Sequence, residues 1–235
     1  MGPQTEMKDN NRTADYLSSL EPEADELLYE MRTYAKAHDV PIVRLETESL
    51  LRTLVSLKAP RRILEIGTAV GYSTVVLARA ALRAGESLKL ITIESWEKRI
   101  PLARNNLERA GLSSAVELIH GDAGAVLQTL LKKMEQDGGE PFDFVFLDAA
   151  KGQYLGWLPD ILSLMGEGAV LVADNVMQDM TVMESRFTVA RRERTTHERM
   201  REFLYRLKHD PRLDSSVLPL GDGVSVSVKR RPIDG

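Results

Sequence analysis

The sequence contains no cysteine. Disulfides, thiolate metal sites and cysteine nucleophiles are therefore excluded, and the composition suits a reducing compartment. No apolar run approaches the roughly 20 residues that span a bilayer. The opening stretch MGPQTEMKDNNR has no apolar signal core, and Glu6 stands where a myristoylation signal carries Ser or Thr. A cytoplasmic location is the expectation. Net positive charge is missing too: 31 Lys and Arg against 35 Asp and Glu leave −4. Nucleic acid would meet no global basic field, so any RNA contact must come from a local patch. There is no internal repeat, no low-complexity segment and no G-x-G-x-x-G fingerprint. His38, His120, His197 and His209 are scattered and form no zinc pair.

What is present is ordinary in bulk: 235 residues, 43% hydrophobic and 28% charged, the size and make-up of one large α/β domain. The chain is organised around RRILEIGTAVG, Arg61 to Gly71. Ile63 to Ile66 form a short apolar strand, Gly67 ends it, and Gly71 opens an Ala-rich helix from Tyr72 to Leu82. The turn lets backbone N–H groups approach a ligand at a helix N-terminus. Its spacing, E-x-G-x-x-x-G, suits a ligand without a pyrophosphate, and S-adenosylmethionine (SAM) is the candidate. A plain strand-to-helix turn fits the stretch equally well.

Residues 1–11 are polar and are expected to be a disordered tail. Residues 12–59 are expected to form helices (Thr13 to Leu20, Glu23 to His38, Glu46 to Leu57) that pack on the domain or cover its strand ends. Residues 60–235 alternate strand and helix. Expected strands are Leu88 to Ile93, Val116 to Ile119, Phe142 to Leu147 and Ala169 to Ala173, with Gly166-Glu167-Gly168 as a turn. Helices are expected over Trp96 to Ala110, Ala123 to Met134, Tyr154 to Met165 and Glu198 to His209. Ser216 to Leu220 and Val224 to Val228 are read as a hairpin around Gly221-Asp222-Gly223. The expected fold is Rossmann-like: a seven-stranded, mostly parallel sheet, antiparallel at its C-terminal end, with helices on both faces.

Ligands of such sheets bind outside the carboxyl ends of the strands. Glu94 follows the second strand, where an acid holds ribose hydroxyls. Asp122 follows the third and, with Ala123, could hold adenine; capping the next helix is an equally good reading of Asp122. Asp148 follows the fourth strand and Asp174-Asn175 the fifth. These three are hard oxygen ligands suited to Mg²⁺ or another divalent cation. Lys151, three residues after Asp148, could act as a base in the same pocket.

LEIGTAVGYS, ITIE, GDA, FLDAAKGQY and ADN together resemble the cation-dependent class I O-methyltransferases, the family of catechol and caffeoyl-CoA O-methyltransferases. The resemblance runs from about Val40 to the C-terminus. Within the family it is nearest to the bacterial enzymes that methylate 5-hydroxyuridine in tRNA, through VPI, DAAKGQY, DNV and LPLGDGVSVS. It implies that Glu65, Gly67 and Ser73 contact the methionine part of the cofactor, with Val40 against it from the lid side. Glu94, Asp122, Ala123 and Asp148 complete the cofactor site. Asp148, Asp174 and Asn175 hold the metal, and Lys151 with Asp148 serves catalysis. A homodimer is also expected. The chain departs from the plant and catechol enzymes after Asn175, where Arg186, Arg191, Arg192 and Arg194 crowd one connection. Arg191 and Arg192 are assigned to a tRNA anticodon loop; a solvated or subunit-contact segment, paired with Glu184, Glu193, Glu198 and Glu202, fits the same charges equally well. A small catechol-like acceptor is the alternative, and a non-enzymatic SAM-binding module is the alternative of another class.

Overall fold

The computed structural model describes residues 16–23, 25–85, 87–178 and 181–231. The expected tail, and the start of the expected Thr13 to Leu20 helix, lie outside the described residues. Five strands alternate with helices: β1 (Arg62–Ile66), β2 (Lys89–Glu94), β3 (Val116–His120), β4 (Phe142–Leu147) and β5 (Met165–Ala173). β6 (Leu213–Leu218) and β7 (Val224–Lys229) follow as the hairpin. Helices α1 (Glu26–Ala37) and α2 (Leu45–Lys58) precede β1. Then come α3 (Tyr72–Ala84), α4 (Ile100–Arg109), α5 (Ala123–Asp137), α6 (Tyr154–Leu164) and α7 (Arg194–His209).

The seven strands form one sheet in the order β3-β2-β1-β4-β5-β7-β6. β1 to β5 pair in parallel, while β7 runs antiparallel to both β5 and β6. Strand side chains alternate between faces, and the core divides accordingly. Leu64, Ile66, Val145 and Leu147 point to the face covered by α5, α6 and α7. Ile63, Phe144 and Phe146 point to the face covered by α1 to α4. The order reverses between β1 and β4, and that reversal opens a crevice at their carboxyl ends.

Several boundaries differ from expectation, each for a local reason. Asp25 caps α1, accepting from the Leu28 N–H at 3.1 Å, so that helix starts at Glu26 and not at Glu23. A 3-10 turn over Glu97–Arg99 precedes α4; Pro101, lacking an N–H, sits in the helix's first turn. Gly166 to Gly168 belong to β5 rather than to a turn, and the β4–β5 register shifts between Phe142 and Phe144 to admit them. β6 begins at Leu213, not Ser216: Leu213 is buried, but the polar Asp214, Ser215 and Ser216 that follow it give no apolar run before Val217. α7 begins at Arg194, earlier than Glu198.

Candidate active site

A cavity of about 450 Å³ opens at the carboxyl ends of β1, β2, β4 and β5. Its floor is the Gly67 turn. Gly67 has φ +105°, and a Cβ there would lie 1.9 Å from the Asp148 carbonyl oxygen. Only glycine lets the ends of β1 and β4 come this close. Gly71, at φ +86°, then starts α3.

Glu94 is buried at the end of β2. Its two oxygens accept from the backbone N–H groups of Ala69 (2.7 Å) and Trp96 (2.8 Å). Each oxygen keeps a second lone pair. Asp122 caps α5, accepting from the Ala125 N–H at 3.0 Å. It also lines the cavity with Ala123, so capping and lining are compatible. Ser73 lines the cavity as well.

Glu65 lies behind the cavity wall. It is fully buried and accepts from the hydroxyls of Thr74 and Thr92. Its Oε1 has no hydrogen-bond partner among the described residues. Burial pushes its carboxyl up to about 7, against the Ser73, Thr74 and Thr92 hydroxyls, and the charge of Asp148 adds a smaller push.

Asp148, Lys151, Asp174 and Asn175 meet on the opposite side. Lys151 Nζ lies 3.2 Å from Asp148 Oδ1. Asp174 is buried and accepts from the Asn175 N–H at 2.8 Å. Burial, then the neighbouring Asp148 charge, pushes Asp174 up to about 7. Tyr154 ties these strand ends together. Its hydroxyl accepts from the Ala149 N–H (3.1 Å) and lies 3.2 Å from the Leu147 carbonyl and 3.4 Å from that of Asp174. Among the described residues no three His, Cys, Asp or Glu side chains form a metal-binding group. The donor set is instead two carboxylates and one amide, which matches the oxygen preference of Mg²⁺. Two acids that repel each other in a buried place also favour a cation between them.

Four of the residues selected from the sequence do not line the cavity: Glu65, Val40, Arg191 and Arg192. Val40 is not a lining residue; it packs on the core beside Val43, and Pro41 to Arg44 line the cavity instead. Arg191 and Arg192 do not line it either. Arg192 is exposed and pairs with Glu193 at 3.2 Å. The helix that follows them, α7, approaches the rim, where Arg199 donates to the Gly152 carbonyl at 3.0 Å. Arg44, Arg99 and Trp157 line the cavity, although sequence reasoning did not select them. No motif marks them: Arg99 sits in the 3-10 turn, stacked over Trp96 at 4.4 Å.

Fold and site together define a Rossmann-like α/β protein with an acid-rimmed ligand crevice at its switch point. Residues 17–230 match the O-methyltransferase family model, and the chain belongs to that family. It is similar to the catechol O-methyltransferase of Niastella koreensis, 36% identical over 168 residues, covering 71% of this chain and 72% of that one. Among solved structures it is similar to an O-methyltransferase from Bacillus cereus in complex with SAH. That match has 31% identity, a TM-score of 0.79, and coverage of 93% and 97% of the two chains. It is also similar to a Streptomyces achromogenes O-methyltransferase of tomaymycin synthesis in complex with SAM. There identity is 30%, the TM-score 0.80, and coverage 94% and 96%.

Proposed function

We propose that the protein transfers the SAM methyl group to the 5-hydroxyl of 5-hydroxyuridine in a tRNA anticodon loop. The observation that carries methyl transfer is a shared cavity. It joins Glu94, Asp122 and the Gly67 turn on one side to Asp148, Lys151, Asp174 and Asn175 on the other. The first group offers two anchored lone-pair sites for ribose hydroxyls and a glycine floor for the methionine end. The second group faces the place where the acceptor must lie. In the reaction the acceptor oxygen forms a bond to the methyl carbon. The sulfur–methyl bond breaks with its electron pair retained on sulfur, and the hydroxyl proton leaves to a base. Lys151, whose Nζ lies 3.2 Å from Asp148 Oδ1, takes that proton in its neutral amine form. The enzyme's main contribution is alignment of oxygen, carbon and sulfur.

Asp148, Asp174 and Asn175 would hold a divalent cation, which would supply Lewis acidity toward the acceptor hydroxyl. A hydroxyl next to a second oxygen suits that arrangement. 5-Hydroxyuracil has one beside its 4-carbonyl, and a catechol has two. Support for the tRNA reading comes from the Arg-rich connection after Asn175 and from DAAKGQY and LPLGDGVSVS. A small catechol acceptor is the second reading, favoured by the Niastella koreensis relative and by the absence of Arg191 and Arg192 from the cavity wall. The test offers hydroxylated tRNA and a free catechol to one preparation with SAM and Mg²⁺, with products read by mass spectrometry. 5-Methoxyuridine is expected. Methylated catechol with unmodified tRNA would overturn the tRNA reading, and no methyl transfer to either would overturn both.

A further inference from the structure

The hairpin turn between β6 and β7 reaches from the far edge of the sheet to both walls of the cavity. On one side Gly221 meets the start of α2: a Cβ there would lie 3.3 Å from Arg44 Cδ and 3.3 Å from Thr47 Oγ1. On the other side the turn holds the segment after Asn175. Val176 N–H donates to the Gly223 carbonyl at 2.9 Å, and Met177 N–H to the Asp222 carbonyl at 3.0 Å. Gly223 has φ +82°, and a Cβ on it would lie 2.2 Å from Met177 Cγ and 2.8 Å from the Met177 backbone nitrogen. Backbone cannot swing aside as a side chain can. Asn175 meanwhile sits at φ +54°, a left-handed conformation that asparagine tolerates better than other non-glycine residues but still at some cost in energy. Its neighbours must hold it there. On one flank Asp174 does so through the Asn175 N–H. On the other, the two bonds to the hairpin turn are the restraint.

We infer that Gly223 is a positioning residue, which sets Asn175 on the acceptor wall by seating Met177 against the hairpin turn. It touches no reacting atom. Any side chain there pushes Met177 and Val176 away, and Asn175, two residues before Met177, is the point where the displaced backbone turns. The inference rests on the reading of Asn175 as a ligand on the acceptor side.

The test compares Gly223→Ala with Gly221→Ala, since both place alanine at positive φ in one turn but only the first abuts Met177. Mn²⁺ is titrated calorimetrically into the full chain, and the Asn175 side-chain amide is followed by ¹⁵N NMR without metal. Its cross-peak is assigned from its loss in Asn175→Ala. Gly223→Ala should bind Mn²⁺ about ten-fold more weakly, the scale on which metal sites respond to loss of their outer support. It should shift the Asn175 amide peak and keep SAH affinity. Gly221→Ala should hold Mn²⁺ affinity within about two-fold, below that same scale, and leave the peak in place. A folded Gly223→Ala with an unmoved peak and unchanged Mn²⁺ affinity overturns the inference. So does an equal effect of both variants. If wild type takes up no Mn²⁺, the metal reading falls by itself, and the amide peak still decides the positioning role. Should Gly223→Ala fail to fold, Met177→Ala removes the seated side chain and is read the same way, with the same shift expected and an unmoved peak overturning the inference.

Discussion

Glu94 and Glu65 are both buried acids at strand positions, yet their environments set opposite roles. Glu94 spends one lone pair of each oxygen on a backbone N–H and keeps the rest for a ligand. In Glu94→Gln the amide must turn one NH₂ toward the N–H of either Ala69 or Trp96, whichever way it is placed. SAH binding, read by calorimetry, should weaken at least about ten-fold, since a hydrogen bond to a charged group is worth roughly 1.5–3 kcal/mol. Unchanged affinity in the folded variant would take Glu94 out of the cofactor site. Glu65 instead faces hydroxyls in a dry interior, and burial pushes it up to about 7. The unfolded chain releases that proton near the ordinary carboxylate range, while the folded chain keeps it to about 7. Between those limits the folded state binds more protons, so stability falls as pH rises. The difference is worth roughly 3 kcal/mol. Glu65→Gln should therefore gain stability over wild type in urea at about pH 8 and much less at about pH 5. A parallel pH dependence in the two proteins would show that Glu65 ionises normally.

At the scale of elements, the site depends on how closely β1 and β4 approach. Gly67→Ala would force a methyl group to 1.9 Å from the Asp148 carbonyl oxygen, at a φ of +105°. The strand ends must part, which displaces Asp148 as well as the cofactor floor. Urea unfolding should show a loss of about 2–4 kcal/mol, the range for overpacking combined with backbone strain. A loss below about 0.5 kcal/mol, typical of an unconstrained surface site, would show that the two ends separate freely. Strands β1, β2 and β4 are legible in the sequence because each is a short apolar run closed by glycine or acid. Their alternation with helices implies a parallel sheet, and a parallel sheet puts the acids that close its strands on one edge. β5 and β6 are less legible. Gly166 and Gly168 look like a turn because the bulge that accommodates them is a property of pairing with β4. Asp214, Ser215 and Ser216 carry no apolar signal, as an edge strand needs little burial. The role of Tyr154 is not legible even though it ends the DAAKGQY motif, because one of the carbonyls near its hydroxyl, that of Asp174, is brought there by tertiary folding; Arg99 stacks locally on Trp96, a contact that no motif marks.

At the scale of the whole molecule, a chain of net charge −4 repels RNA at long range. An RNA acceptor must therefore be caught by local groups near the cavity mouth. Two arginines of the connection, and Arg201 of α7, are already engaged. Arg186 pairs with Glu198 at 2.8 Å, Arg194 donates to the Val189 carbonyl, and Arg201 to the carbonyls of Val182 and Glu184. These build the segment. Arg191 and Arg192 are exposed, and Arg192 has only its sequence neighbour Glu193 as partner among the described residues. Phe187 projects from the same segment, 83% exposed, the kind of face on which an unstacked base can stack. If this surface meets the phosphates flanking the target base, replacing Arg191 and Arg192 with Ala should lower kcat/KM on hydroxylated tRNA. Its dependence on salt should flatten by about 0.7 in logarithmic slope per lost contact, the value for single strands. Neither side chain lines the cavity, so the rate on a free catechol should hold, and the thermal midpoint should barely move. An unaltered salt slope on tRNA would assign the two arginines to solvent. Equal loss on both acceptors would place their effect on the cavity through α7, by way of Arg199 and the Gly152 carbonyl.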